Sequence, residues 1–137
     1  MPNLAETSPP LPTLAPNFAA LMDFLREPDL GLAVISPSRF IRLAGIDLQT
    51  LAAQAHVHRN TLARSPASEA VQHFLREALR VIRAATDISG DVNRALFWYR
   101  NEPLAPFGYQ TAETLVSGGR TEDVLRYVMS LEAGAAG

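Results

Sequence analysis

The side chains whose types could carry out chemistry are His56, His58 and His73, the serines Ser65, Ser68 and Ser89, the pair Gly118-Gly119 and the pair Glu122-Asp123. His56 and His58 stand two residues apart and His73 lies far along the chain, which is not a metal-ligand spacing. None of the three serines sits in the glycine-rich turn that presents a nucleophile. Gly118-Gly119 lacks the following Lys and Ser/Thr of a phosphate loop. Glu122 and Asp123 are neighbours, a helix-start device rather than two carboxylates facing each other across a substrate. With no cysteine, the chain has no thiolate nucleophile, thiolate metal ligand or disulfide. These residues lead to the expectation of a protein that is not an enzyme, needs no cofactor and works by binding.

The chemistry left is recognition, and it is concentrated in residues 47–64, DLQTLAAQAHVHRNTLAR. Two short helices joined by a tight turn, with Leu51, Ala52, Val57 and Leu62 inward, make a helix-turn-helix pattern. His58, Arg59, Asn60, Thr61 and Arg64 then point outward from the second helix. Arg can read a guanine edge, Asn an adenine edge, and Thr or His can hold phosphate. Two features depart from the pattern. His56 stands where a turn glycine is usual, and His58 takes the N-cap position, for which a histidine is a poor choice. The same spacing also suits two packed helices that read no DNA.

These groups need a helical scaffold to position them. Residues 1–16 hold five of the ten prolines and little apolar periodicity, which predicts a flexible arm. Phe18, Leu21, Met22 and Leu25 mark a helical face that Pro28 stops, and residues 29–35 form a short apolar link. Ser36-Pro37 starts a helix carrying Phe40, Ile41 and Ala44 inward, with Gly45 at its end. Asp47 caps the next, whose inward residues are Leu48, Leu51, Ala52 and Ala55, and Pro66 closes the third, about His58 to Arg64. Val71, Phe74, Leu75, Ala78, Leu79, Ile82 and Ala85 recur at three- and four-residue steps, the strongest amphipathic pattern in the chain. After Ser89-Gly90-Asp91 comes a helix with Val92, Ala95, Leu96 and Tyr99 inward, ending near Asn101. Leu104 and Phe107 anchor a Pro/Gly loop, and Thr111 caps a short helix that Gly118-Gly119 terminates. Thr121 is expected to cap a last helix with Val124, Leu125, Val128 and Leu131 inward and Gly134 at its end. No strand alternation and no internal repeat is visible. The expected fold is all-α: a helix-turn-helix-like bundle over 17–87, then a small helical domain over 88–137.

Net charge is −2, unevenly spread. Residues 1–37 sum to −3 (one Arg, four acids), residues 38–85 to +4 (seven Arg, three acids) and residues 86–137 to −3 (four Arg, seven acids). A basic middle between acidic ends suits a protein that meets two unlike partners, one of them phosphate-bearing. No apolar run approaches the roughly 20 residues that cross a bilayer. No basic stretch followed by an apolar one marks a secretory signal, so a cytoplasmic location is expected. Phe97, Trp98, Tyr99 and Phe107 either fill the core around the Pro103 loop or place one ring at an interface.

Residues 95–134 carry a further pattern: Ala95, Trp98, Asn101, Pro103, Leu104, Gly108, Leu115, Val116, Gly118, Gly119, Val124, Leu125 and Gly134. In this order the chain resembles the Xre/MbcA/ParS-type antitoxins, whose C-terminal domain binds a RES-domain toxin. Thr111, Phe107 and Tyr99 depart from it, standing where the family usually has a proline and two aliphatic residues. The resemblance implies an antitoxin of a type II toxin–antitoxin system. Such a protein blocks the active site of an NAD-consuming RES-domain toxin and represses its own operon by binding operator DNA. Transferred to this chain, the toxin-binding residues are Arg120, Glu122, Arg126, Tyr127, Ser130, Glu132 and Gly134, Arg126 foremost, with residues 132–137 as a terminal plug. DNA binding through one short helix implies a homodimer. Two other readings stay open: a stand-alone transcriptional regulator, and an interaction domain whose helix-turn-helix no longer reads DNA.

Overall fold

The computed structural model describes residues 16–136, so the expected arm lies, but for Pro16, outside the described residues. The described chain is all-α. Eight α-helices follow one another: α1 Phe18–Leu25, α2 Pro37–Ala44, α3 Leu48–Ala55, α4 Arg59–Arg64, α5 Glu69–Ser89, α6 Val92–Asn101, α7 Ala112–Ser117 and α8 Thr121–Ala136. Single 3-10 turns lie at Pro28–Leu30 and Ala105–Phe107. Extended pairing among the described residues is confined to the isolated bridges Arg26–Ile35 and Leu104–Gln110. No helix there is long and apolar enough to cross a membrane.

The helices begin where short polar side chains can take up orphan backbone N–H groups. Asn17 accepts from Ala20, Ser36 from Arg39, Asp47 from Thr50, Asp91 from Asn93 and Thr111 from Thr114. Ser36 is fully buried and also hydrogen-bonds the Glu27 carboxylate, which hydrogen bonds from Ser36 and Ser38 hold below its usual range. Left-handed residues end several helices, Gly45 and Gly90 among them.

The long helix α5 is the spine, in contact with α3, α6, α7 and α8. All seven of its expected inward residues are buried, and Val81 joins them. Two buried polar residues on this helix break the apolar pattern, and both are satisfied. Thr86 donates its hydroxyl to the Ile82 carbonyl at 2.7 Å. Gln72 accepts from the Ile35 N–H at 2.9 Å and donates to the carbonyls of Ile35 at 2.9 Å and Pro66 at 2.8 Å. One amide thus stitches the link before α2 and the loop after α4 to the spine. A single buried cluster runs from Leu21 to Val128 through both halves of the chain.

Some expectations change. Thr121 does not cap α8; it is the first helical residue and is buried. Gly134 does not end α8, which runs on to Ala136. Leu131 is 41% exposed, because it lines an open surface groove with Ile88 and Trp98 instead of entering the buried cluster. Val57, Leu48, Ala55, Leu96 and Leu125 are half-buried rather than fully inward.

Tyr99 is buried, yet its hydroxyl has no hydrogen-bond partner, and burial pushes its phenol pKa well up. Tyr99→Phe should therefore raise the unfolding free energy by about 1 kcal/mol, since an unsatisfied polar atom is removed with the ring kept. Gln72→Leu should lower it by about 2–4 kcal/mol, since three backbone groups lose their partner together. Urea unfolding followed by circular dichroism checks both; a stabilised Gln72→Leu would refute the stitching role.

Candidate functional site

Helix α4, the second of the pair α3–α4, is placed by the turn between them. The turn residue His56 has φ 58°, a left-handed conformation that glycine usually supplies. Its N–H bonds the Ala53 carbonyl and the Val57 N–H bonds the Ala52 carbonyl at 3.0 Å, the double closure of a Schellman motif. A side chain in this position has a use that glycine could not serve. His56 Nε2 lies 2.7 Å from the Ser117 carbonyl oxygen, which can only accept, so the ring donates. In return the Ser117 hydroxyl donates to the Gln54 carbonyl at 2.8 Å. The C-terminal ends of α3 and α7 therefore satisfy each other's orphan carbonyls.

Arg100 does the same for α2. It donates to the Ala44 carbonyl at 2.6 Å and to the Glu113 carboxylate at 3.0 Å, joining α2, α6 and α7. A guanidinium at a helix C-terminus also meets the negative end of the dipole. Helices α2 and α3 are thus held from the C-terminal half by directed polar contacts as well as by shared core.

The cap of α4 is better than its residue type suggests. His58 Nδ1 accepts from the Asn60 N–H at 3.1 Å, so the imidazole does the work of a Ser or Asp. His58, Arg59, Asn60 and Arg64 are exposed as expected, whereas Thr61 is half-buried and not wholly outward. Arg59 stands close enough to Asp47 to help lower its carboxyl, which hydrogen bonds from Thr50 lower more.

The basic middle is largely spoken for elsewhere. Arg39 and Arg42 lie over the Phe24 ring, and Arg39 also donates to the carbonyls of Phe24 and Arg26 at the end of α1. Arg76 pairs with Glu69, Arg80 with Glu77 and Glu122, and Arg83 covers the Phe18 ring. Among the described residues no ion pair holds Arg59 or Arg64. Arg59 and Arg64 of α4 are, among the described residues, the arginines of the segment with neither an ion pair nor a ring contact.

The second expected surface lies on α8 and is more tied down than its sequence suggests. Asp123 receives Arg120 at 2.9 Å and Arg126 at 2.6 Å, and these two arginines hold its carboxyl below its usual range. Arg120 also covers the Phe107 ring, and Tyr127 meets that ring edge-on at 5.8 Å. Tyr127 is accordingly half-buried, a correction to its expected exposure, and Glu122 is engaged by Arg80. Ser130 donates to the Tyr127 carbonyl within its own helix. Arg126 keeps 72% of its side chain in solvent, and Glu132 and Gly134 are exposed.

The residue patterns do not reveal everything on this surface. Phe97 is 71% exposed, so the four aromatics do not all fill the core; Tyr99 is buried, and Trp98 and Phe107 are half-buried. Met129 and Leu131 are exposed on α8. Alternation within α6 could have flagged Phe97, which lies two residues from buried Tyr99 and Ala95. The His56–Ser117 contact had no local signal beyond a histidine in a glycine position. No group of three or more His, Cys, Asp or Glu residues that could hold a metal ion is present among the described residues. No protein-family model, no curated protein and no solved structure matches this chain.

His56→Gly should keep the turn and lose only one hydrogen bond, changing stability by no more than about 1 kcal/mol. His56→Val should lose the bond and strain the left-handed turn, lowering stability by about 2–3 kcal/mol. Chemical denaturation of both variants checks the ordering, and equal stability would rule out strain at this position.

Proposed function

We propose that the protein is the antitoxin of a type II toxin–antitoxin pair, neutralising a RES-domain, NAD-consuming toxin and repressing its own operon as a DNA-bound homodimer. It acts by binding alone. The observation that carries the DNA half is the pair Arg59 and Arg64, exposed on α4 and free of ion pairs where the other basic-segment arginines are engaged. Exposed guanidinium groups held by no ion pair are available to phosphate and to guanine edges. The toxin half rests on the residue pattern of 95–134 and on the exposed edge of α8, where Arg126, Glu132, Met129 and Leu131 reach solvent.

The short length of α4, six residues, favours a second reading in which the pair is an interaction module that reads no DNA. The two readings differ in a gel-shift assay on the protein's own upstream region. Arg59→Ala with Arg64→Ala should weaken binding there by well over tenfold, at two phosphate or base contacts of about 1–3 kcal/mol each, with an unchanged circular dichroism spectrum. Unchanged binding would remove α4 as the reading element, and no binding by the intact protein would select the interaction module.

The toxin assignment is tested by isolating the intact protein from its native lysate and identifying by mass spectrometry what co-purifies. A RES-domain protein is expected. Arg126→Glu combined with Leu131→Asp should then abolish rescue of cells expressing that enzyme, since both side chains reach solvent and neither belongs to the buried core. Full rescue by this variant would place the neutralising surface elsewhere.

A further inference from the structure

The outer side of α6 carries an apolar patch that the fold leaves in water. Leu43, Ala44 and Gly45 at the end of α2 and Leu96, Phe97 and Arg100 on α6 bound a groove of about 350 Å³. Asn93 and Asn101 line it with neutral amides. Phe97 is 71% exposed, which makes it the barest aromatic ring among the described residues. A phenyl group left against water favours a partner that removes it from there.

The groove itself has room for such a ring, since about 150 Å³ already takes a benzene molecule. Phe97 of the same chain, with most of its surface in solvent, does not fill it. The patch therefore offers a projecting ring and a recess for one side by side. Two copies related by a twofold axis can exchange rings, each Phe97 entering the recess of the other. A patch that is its own complement is what an isologous contact requires.

The charges suit the same partner. Near a twofold axis an ionised group approaches its own sign, and such juxtaposition is costly. Arg100, the ionised residue of the groove, is matched within its own chain: it donates to the Glu113 carboxylate at 3.0 Å and to the Ala44 carbonyl at 2.6 Å. Asparagine amides both donate and accept, so they can face copies of themselves.

We propose that this α2–α6 patch is the seam of the homodimer, with Phe97 of each copy seated against Leu43 and Leu96 of the other. The seam rests on the homodimer of the proposed function and not on its toxin half. The described residues that line the groove include none from α4 or α8, so pairing leaves Arg59, Arg64 and Arg126 outside the seam.

Analytical ultracentrifugation of the full-length protein, with no DNA or other partner present, tests it. The unaltered chain should sediment as a dimer at micromolar concentration. Phe97→Asp should raise the dimer dissociation constant at least about a hundredfold, because two ring anchors are lost and two carboxylates are brought to the axis. Its circular dichroism spectrum and urea midpoint should stay unchanged, since the ring lies outside the core of the single chain. Phe97→Leu, which keeps an apolar side chain for the recess, should remain dimeric. A Phe97→Asp chain as dimeric as the original would overturn the seam and leave a homodimer in place. An unaltered chain that stays monomeric up to its solubility limit would overturn the seam together with the homodimer.

Discussion

Burial of one face of α5 is the constraint on which the other elements depend. Ten of its residues are buried, and its neighbours are arranged so that each covers part of that face. Each fully buried Leu, Ile, Val or Phe side chain gains about 1.5–3 kcal/mol from leaving water, so this helix concentrates much of the driving force for folding. The short helices α3, α4 and α7, of six to eight residues, could not persist in isolation, because helix nucleation is unfavourable at such lengths. They exist because Leu51, Ala52, Leu62, Leu115 and Val116 share the core that α5 anchors.

Apolar packing tolerates sliding, whereas hydrogen bonds at helix ends do not. The chain uses the orphan carbonyls of its helix C-termini as sockets for side chains from distant segments. Arg39 fills the end of α1, Arg100 the end of α2, and His56 and Ser117 the ends of α7 and α3. Gln72 performs a similar service for backbone groups at Ile35 and Pro66. Each contact replaces a protein–water bond by one that holds only in a particular geometry, so together they set how α1, α2 and α3 sit against the rest of the fold. This explains why a histidine occupies a left-handed turn: its ring recovers in a long-range contact what its backbone loses in strain.

The same engagement sorts the charges. A segment sum of +4 leaves open which arginines face a partner. Packing over Phe18 and Phe24, and pairing with Glu69, Glu77 and Glu122, occupies those outside α4. The Arg80–Glu122 pair also crosses from the spine to α8, bringing the basic segment and the acidic end of the chain into contact. On α8 the Arg120–Asp123–Arg126 cluster gathers two cations on one carboxylate and so presents a net positive spot within an acidic segment.

Local interactions made most of the helices readable from residue order. Three- and four-step periodicity marked the α5 face, and Ser36, Asp47 and Thr111 marked starts because a cap bonds an amide only two or three residues away. Even the departures at His56 and His58 were visible as residue types, though their consequences were not. The end of α8 differs from what Gly134 suggests: a lone glycine stops a helix only where a left-handed turn is also favoured, and α8 continues through Gly134. The exposure of Leu131 and Phe97, the half-burial of Thr61 and Tyr127, and the contacts of His56 and Arg100 depend on segments tens of residues away. A periodic pattern states which face of a helix is apolar but not how far along that face a neighbour extends. Helix identity is local in origin and was legible in the residues; surface, burial and the choice of free arginines arise where helices meet, and the fold alone assigns them.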